Sequence, residues 1–385
     1  MSDCKLSQWH ILKTDKWLLS SLTWLPIVLA VTIWWIFSQG IAQNLPIAVV
    51  DLQHSTLSRQ LTRQLDATES LSVIQTVADI GTAKHNFIGN KIYGYMVIPK
   101  DFDRDIYLGK SPQISVFYNS QYILVGKLIN KSVQQVLATF NAQLGILKQL
   151  NQGNNTIQNA LAKTVTIGTQ ITPLFNSNSN YAQFLVSGIV PALWQISIVV
   201  SSILLITTNI RIYGLTNLFA EKPLTHLLSI NLFYLPIFLA QGFAFLLWFY
   251  YCLEWPMFGS LIPLLFAQLI TTIACMIMGN LFFLLSFDPA RAMSFAAAYT
   301  APSFAFMGVT FPATDMDNLA SFWRSLLPIS HYIEAQISQV SYGVSAWATI
   351  SQFMPAMYFY LIPLCLVVFL SKKQGNKMQV NNDTI

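Results

Sequence analysis

The sequence predicts a polytopic α-helical membrane protein, with six transmembrane helices and an α+β extracytoplasmic domain between the first and the second. Three observations lead there. The chain is 54% hydrophobic and only 10% charged, where soluble domains are about a quarter charged. It holds six uncharged apolar windows, each about as long as the roughly 20 helical residues that cross a bilayer core about 30 Å thick. Residues 40–183, between the first two windows, are far more polar than the remainder of the chain up to residue 371.

At the start, residues 1–16 include "LSQWHILKTDK". Leu6, Trp9 and Leu12, followed by Trp17 and interspersed with Lys5, Lys13 and Lys16, predict a basic amphipathic helix suited to lying in the membrane interface. The first span is expected at 17–39. Its apolar core is too long for a signal peptide, and "SQGIAQNLP" after it is a poor cleavage site, so it reads as an uncleaved anchor. The other windows are 184–208, 227–252, 258–286, 292–310 and 349–370, within a five-helix region of residues 184–371. The window at 258–286 is long enough to tilt, or to bend near Gly279. Lysines and arginines in short segments set orientation. Lys5, Lys13, Lys16, Arg211, Lys222, Arg291, Lys372, Lys373 and Lys377 fall on one side, against Arg324 alone on the other. Both termini, including the 372–385 tail, are therefore expected in the cytoplasm, with residues 40–183 outside. Cys4, Cys252, Cys275 and Cys365 lie at the cytoplasmic terminus or in spans, so no disulfide framework is implied.

In the outer domain, "LPIAVVD" (45–51), "SLSVIQTV" (70–77), "IYGYMVIP" (92–99) and "QISVFYN" (113–119) read as strands. Leu57, Leu61 and Leu65 mark a helix, and Asp79 caps a second. After Tyr122, apolar residues recur every three or four positions from Leu124 to Leu147, which predicts a long amphipathic helix packed on its own domain or on a partner. Asn-rich stretches at 151–159 and 173–180 then lead to the second span. Asp51, Asp101, Asp103 and Asp105 invite a metal reading, but "PKDFDRDIYLGK" lacks the glycine and terminal glutamate of a calcium loop. It is more simply a helix start with acids in its first turn. His54 and His85 read as solvated, and no reactive cluster supports catalysis.

The six windows contain no Asp, Glu, Lys or Arg, and His226 and Glu254 lie only at their ends. Proton- or ion-coupled transport usually needs such groups at membrane depth. The chain also lacks G-x-x-x-x-G-K-[ST], so nucleotide energy would have to arrive through another subunit. The cytoplasmic segment 209–228 is too polar to span; Arg211, Gly214, Glu221, Lys222 and Pro223 predict a short helix with turns, either a connector or a docking surface. On the other side, Thr314 with Asp317 forms a capping signature ahead of Leu319, Phe322, Trp323 and Leu326 at helical spacing. Asp317, Asn318, Ser321, Arg324 and Ser325 fill the opposite face, and Pro328 breaks the helix. Ile333, Ile337 and Val340 resume the period as far as Gly343. Each half is too short to cross, so the pair either dips in and returns or lies at the outer surface. A lid and a plain interfacial loop are both open.

Together, "LPIAVVDLQHSTLSRQL", "YGYMVIPKDFDRDIYLGKSPQISVFYN" and "FPATDMDNLASFWRSLLPISHYIEA" resemble the permease subunits of type-2 ATP-binding-cassette (ABC) exporters, in the subgroup with a large extracytoplasmic domain after the first span. The resemblance covers most of the chain. It implies a bacterial inner-membrane half-transporter, paired with a second permease copy or homologue and driven by a separate ABC ATPase that binds ATP and magnesium, so the chain itself holds no cofactor. Membrane lipid and a periplasmic adaptor are further partners the family admits; nucleic acid is not among them. The N-terminal helix would be a membrane elbow. Residues 209–226 would form the coupling element, with Arg211, Gly214, Leu215, Glu221, Lys222 and Pro223 toward the ATPase. Residues 311–345 would be paired re-entrant helices, with Phe311, Pro312, Met316, Phe322, Trp323, Pro328, His331 and Glu334 as exit gate. The family's loop usually reads acidic residue, Gly-Thr, then Thr-Pro. Here "RIYGLTNLFAEKPLT" keeps Gly214 and Pro223 but departs at Leu215 and Lys222.

Family members export drugs, lipids, polysaccharides or small peptides. Trp34, Trp35, Trp194, Trp248, Phe304 and Phe306 suit an amphiphilic or hydrophobic cargo, or serve as interface anchors and packing. A membrane-anchored sensor is the alternative in which the outer domain alone binds a ligand. A gradient-driven secondary transporter is the alternative that needs no ATPase.

Overall fold

The computed structural model describes residues 8–38, 43–108, 110–119, 123–151, 180–219 and 222–383. The chain divides into two compact units, Met1–Gly40 with Pro173–Ile385, and Ile41–Thr172.

The first unit opens with α1 (Gln8–Thr14), α2 (Lys16–Leu22) and α3 (Trp24–Phe37). Together α2 and α3 are apolar enough to cross a membrane, but they bend by 44° at Thr23. The cause is Pro26, which has no N–H to give to the Leu22 carbonyl four residues back. Gln241 supplies the missing donor from another helix, its Nε2 lying 2.6 Å from that carbonyl.

The second unit is an α/β fold: β1 (Leu45–Asp51), α4 (Thr56–Asp66), β2 (Leu71–Val77), α5 (Ile80–Ile88), β3 (Gly94–Ile98), α6 (Phe102–Tyr107), β4 (Ser115–Tyr118) and α7 (Ile123–Asn151). The sheet order is β2-β1-β3-β4, with β1 parallel to both neighbours and β4 antiparallel to β3. β1 is nearly continuous in apolar residues because both its faces are covered. Ile47 and Val49 pack with Leu61 and Leu65 of α4 and with Leu128, Val133 and Phe140 of α7, while Ala48 and Val50 pack with Ala83 of α5. The α7 stripe is thus spent within its own unit. Asp51, one of the four acids that invite a metal reading, organises the turn after β1: it accepts from the Gln53 and His54 amides and from the Ser58 hydroxyl. Asp103 accepts from Ser55 Oγ at 2.6 Å. The Asn-rich stretches between residues 152 and 179 lie outside the described residues.

The first unit resumes with α8 (Tyr181–Tyr213), α9 (Leu215–Phe219), α10 (Pro223–Leu247), α11 (Leu261–Ser286), α12 (Pro289–Thr300), α13 (Ser303–Phe306), α14 (Asn318–Ser325), α15 (Pro328–Val340), α16 (Ala346–Met357) and α17 (Leu361–Asp383). Ala182–Tyr213, Pro223–Cys252, Leu261–Ser286 and Ala346–Lys377 are each long and apolar enough to cross, so the described residues hold four such helices, or five with the bent α2–α3 pair. The expectation of six single-helix spans is corrected at 292–310. There α12 has 12 residues and stops before Pro302, α13 has four, and Gly308 turns the chain at φ +85°. Even so, this broken segment follows α8 antiparallel. Phe287, just before it, meets Phe219 just beyond the C-terminal end of α8. Ser303 bonds Gln195 near the middle, and Val309 crowds Gly188 toward the other end.

α11 runs unbroken through Gly279. The glycine serves close packing instead. A Cβ at this position would come within 2.7 Å of both Ser202 Cβ and Val199 O on α8, the small-residue contact by which helices approach without a hydrophobic driving force.

Candidate functional site

Two groups of residues stand apart chemically, one near each end of α8. At its C-terminal end, Gly214 takes a φ of +85°, which suits a residue without Cβ. The chain turns into α9, whose Leu218 and Phe219 are fully buried. His226 Nδ1 donates to the Leu218 carbonyl at 3.1 Å, which fixes its tautomer. Leu215 is half-buried against the core. Lys222 is exposed ahead of Pro223, which takes the first turn of α10, where its missing N–H costs nothing. Thr216, Asn217, Lys222 and Arg211 leave this end polar. Glu221 lies outside the described residues.

Arg211 does not simply point to solvent. Its Nη2 lies 2.7 Å from Asp15 Oδ2, which also accepts from the Thr208 hydroxyl at 2.7 Å. The other Asp15 oxygen caps α2 through the Trp17 and Leu18 amides. Beside this, Gln8 and Asn209 exchange amide hydrogen bonds at 3.0 and 3.4 Å. Burial pushes the Asp15 carboxyl up, but the Thr208 and backbone hydrogen bonds with the Arg211 charge outweigh it and hold it below the usual carboxylate range. The N-terminal helix is therefore clamped to the α8 end that leads into α9.

The second group is the hairpin of α14 and α15. Asp317 caps α14 by accepting from the Ala320 amide at 2.9 Å; the expected cap, Thr314, falls in a preceding turn at Ala313–Asp315. Pro328 does not merely break the helix but starts α15 at its first turn. The tip reaches the middle of α8, where the Ile329 amide donates to Gln195 Oε1 at 3.0 Å. Both Tyr299 and Tyr360 donate to the Leu326 carbonyl. α15 then climbs back along α8, so that Gln336 Nε2 reaches the Ser187 carbonyl at 3.1 Å. That carbonyl lost its own donor to Pro191 four residues on, the same arrangement as Pro26 with Gln241.

The hairpin presents its faces opposite to a soluble helix pair. Phe311, Leu319 and Phe322 are half or more exposed, while Arg324 is largely buried and its Nη2 lies 3.1 Å from Glu334 Oε2 on α15. His331 Nε2 donates to the Ser325 carbonyl at 3.1 Å. Burial, aided by Arg324, holds this imidazole below its usual range against the opposing pull of Ser325 and Glu334. Trp323 is half-buried with an unpartnered Nε1 among the described residues. Pro312 is exposed and Met316 half-buried on the approach to α14, and Pro328 is buried. Trp194 is core: its Nε1 donates to the Phe238 carbonyl. Trp34 packs edge-on against Trp248.

The described residues expected at the coupling element thus lie around the C-terminal end of α8, and those expected at the gate lie on or just before a hairpin that bonds α8 at Gln195 and Ser187. The reading by charge passed over Asp15 and the amides Gln8, Asn209, Gln195, Gln241 and Gln336. For Gln195 and Gln241 a signal existed, since glutamines inside otherwise apolar windows are rare and need partners. The family model described as ABC-2 family transporter protein matches residues 16–371. No curated protein and no solved structure matches the chain. Four to five membrane-length helices, an α/β unit after the first of them and a family match across nearly the whole length lead to one assignment: this chain belongs to the ABC-2 family of transporter membrane proteins.

Proposed function

We propose that the protein is the membrane half of an ATP-driven exporter, dimeric with a second copy or homologue, that moves an amphiphilic or hydrophobic substrate out of the cytoplasm or the inner membrane. Family membership over residues 16–371 carries the reading, because an ABC permease implies an ATPase partner. In this reading the chain crosses six times, with 289–309 as a broken fifth crossing, both termini cytoplasmic and the α/β unit outside. The ATPase docks on 209–226 through the exposed Thr216, Asn217 and Lys222 and the neighbouring Glu221. Its stroke reaches α8 directly and the elbow helix through Asp15. The α14–α15 hairpin is the exit gate.

The test is a tagged pull-down in mild detergent, with mass spectrometry and an ATPase assay of the co-purifying proteins. A stoichiometric P-loop ATPase is expected; a well-folded protein without one rejects the reading. Exchanging the charges, Glu221→Lys with Lys222→Glu, is expected to lower transport while membrane insertion stays intact. Unchanged transport removes 209–226 from the coupling role.

A further inference from the structure

Between the hairpin and α16 lies a cavity of about 350 Å³, bordered by Arg324, His331 and Glu334 on one side and Gln352, Phe353 and Pro355 on the other. Its size falls in the range of roughly 300–1,000 Å³ typical of small-molecule sites. The chemistry of its wall is unusual for a chain with so few charges. Arg324 is only 15% exposed yet makes one side-chain hydrogen bond among the described residues, through Nη2 to Glu334. Its Nε is buried without a partner. A guanidinium carries five donors, so most of its capacity for an anion is unspent. Glu334 is 63% exposed and uses a single oxygen on Arg324, leaving the other for a cation. His331 gives Nε2–H to Ser325, so Nδ1 is left as an acceptor in the neutral ring. Anion-binding and cation-binding groups therefore sit side by side, about 3.1 Å apart, above an apolar floor of Ala335, Phe353 and Ala356.

We propose that this cavity binds the zwitterionic head group of a phospholipid bearing a primary ammonium, with the phosphate on Arg324 and the ammonium on Glu334 and His331. A phosphate alone would meet the Glu334 carboxylate unscreened, and an ammonium alone would meet the arginine; a ligand carrying both charges on a short linker satisfies each. Free phosphoethanolamine shares this chemistry. The lipid is favoured by exposed apolar side chains on two elements that border the cavity: Leu319 and Phe322 on α14 are 79% and 60% exposed, and Trp347 on α16 is 79% exposed. The site lies within one chain. It uses gate residues of the function proposed above, but its test needs neither ATPase nor transport, so the two can fail independently.

The test is native mass spectrometry of the purified full chain in detergent, titrated with dioleoyl phosphatidylethanolamine, dioleoyl phosphatidylglycerol or soluble phosphoethanolamine. Phosphatidylethanolamine is expected to bind about tenfold more tightly than phosphatidylglycerol, as fits one charged hydrogen-bonded contact. Glu334→Gln, whose amide oxygen can still accept from Arg324, is expected to erase that preference while the protein still folds. Arg324→Gln is expected to weaken both lipids; if it does not fold, Arg324→Lys, which keeps the ion pair but has fewer donors, is expected to weaken them less. Equal binding of the two lipids by the wild type, or an unaltered preference in Glu334→Gln, overturns the proposal. Competition by phosphoethanolamine at the same concentration as the lipid overturns the lipid as ligand.

Discussion

At the scale of the residue, Asp15 shows how one carboxylate can hold two elements. It caps α2, accepts from Thr208 and pairs with Arg211. Asp15→Ala removes a cap, which costs about 1 kcal/mol, and leaves Thr208 and Arg211 without that partner. A loss of about 1–2 kcal/mol is expected in thermal unfolding of the detergent-solubilised protein, together with easier proteolysis ahead of Lys16. The pH dependence has a definite sign. The folded pKa lies below the ordinary 3.8, so the carboxylate's contribution is complete above that value and is lost as pH falls through the folded pKa. The melting temperature is expected to fall on acidification below about pH 4 more steeply in the wild type than in Asp15→Asn. The cap made by Asp15 is local, with the Trp17 and Leu18 amides two and three residues on, but its clamp was hidden from sequence reading because Thr208 and Arg211 lie 193 and 196 residues away. Asp79 was legible because its partner, the Thr82 amide, is three residues on.

At the scale of the element, the sequence was most informative where a period met one environment. The strands of the α/β unit lie within about two residues of the expected segments, and α7 runs where the leucine spacing put it. Reading spans from hydropathy succeeded for four helices, met a bent pair at the first span and failed at 292–310. Apolar length says nothing of continuity, and Thr23 with Pro26, then Pro302 with Gly308, break segments that are apolar enough. Gly279 is the reverse case, a helix-weakening residue inside an unbroken helix because α8 packs directly on it. Gly279→Val is expected to wedge α8 from α11 and to destabilise by about 1–3 kcal/mol; Gly279→Ala is expected to cost less. The proline pairs make a sharper test. Gln336→Leu is expected to lower stability by roughly 0.6–1.7 kcal/mol, the range of side-chain hydrogen bonds within membranes. Pro191→Ala with Gln336→Leu should recover part of it, because the alanine N–H can bond the Ser187 carbonyl. A double-mutant cycle on melting temperatures reads this coupling.

At the scale of the whole molecule, α8 links the two candidate sites. The clamp at Asp15 grips its C-terminal end and the hairpin lies along its other half, so under the proposed function a push on 209–226 would be delivered to a helix that already touches the hairpin. Layout and family were legible because they depend on composition and order along the chain. The hairpin's inward Arg324 was not, because an amphipathic period gives two faces without saying which one meets lipid. The Gln336 contact has a further consequence for opening. If α15 withdraws from α8, the Ser187 carbonyl loses the donor that Gln336 gives it, and hydrocarbon offers no replacement. Water does. Separation of the hairpin is therefore thermodynamically tied to wetting of the crevice behind it, and under the proposed function a cargo that carries or admits water would lower the barrier to release.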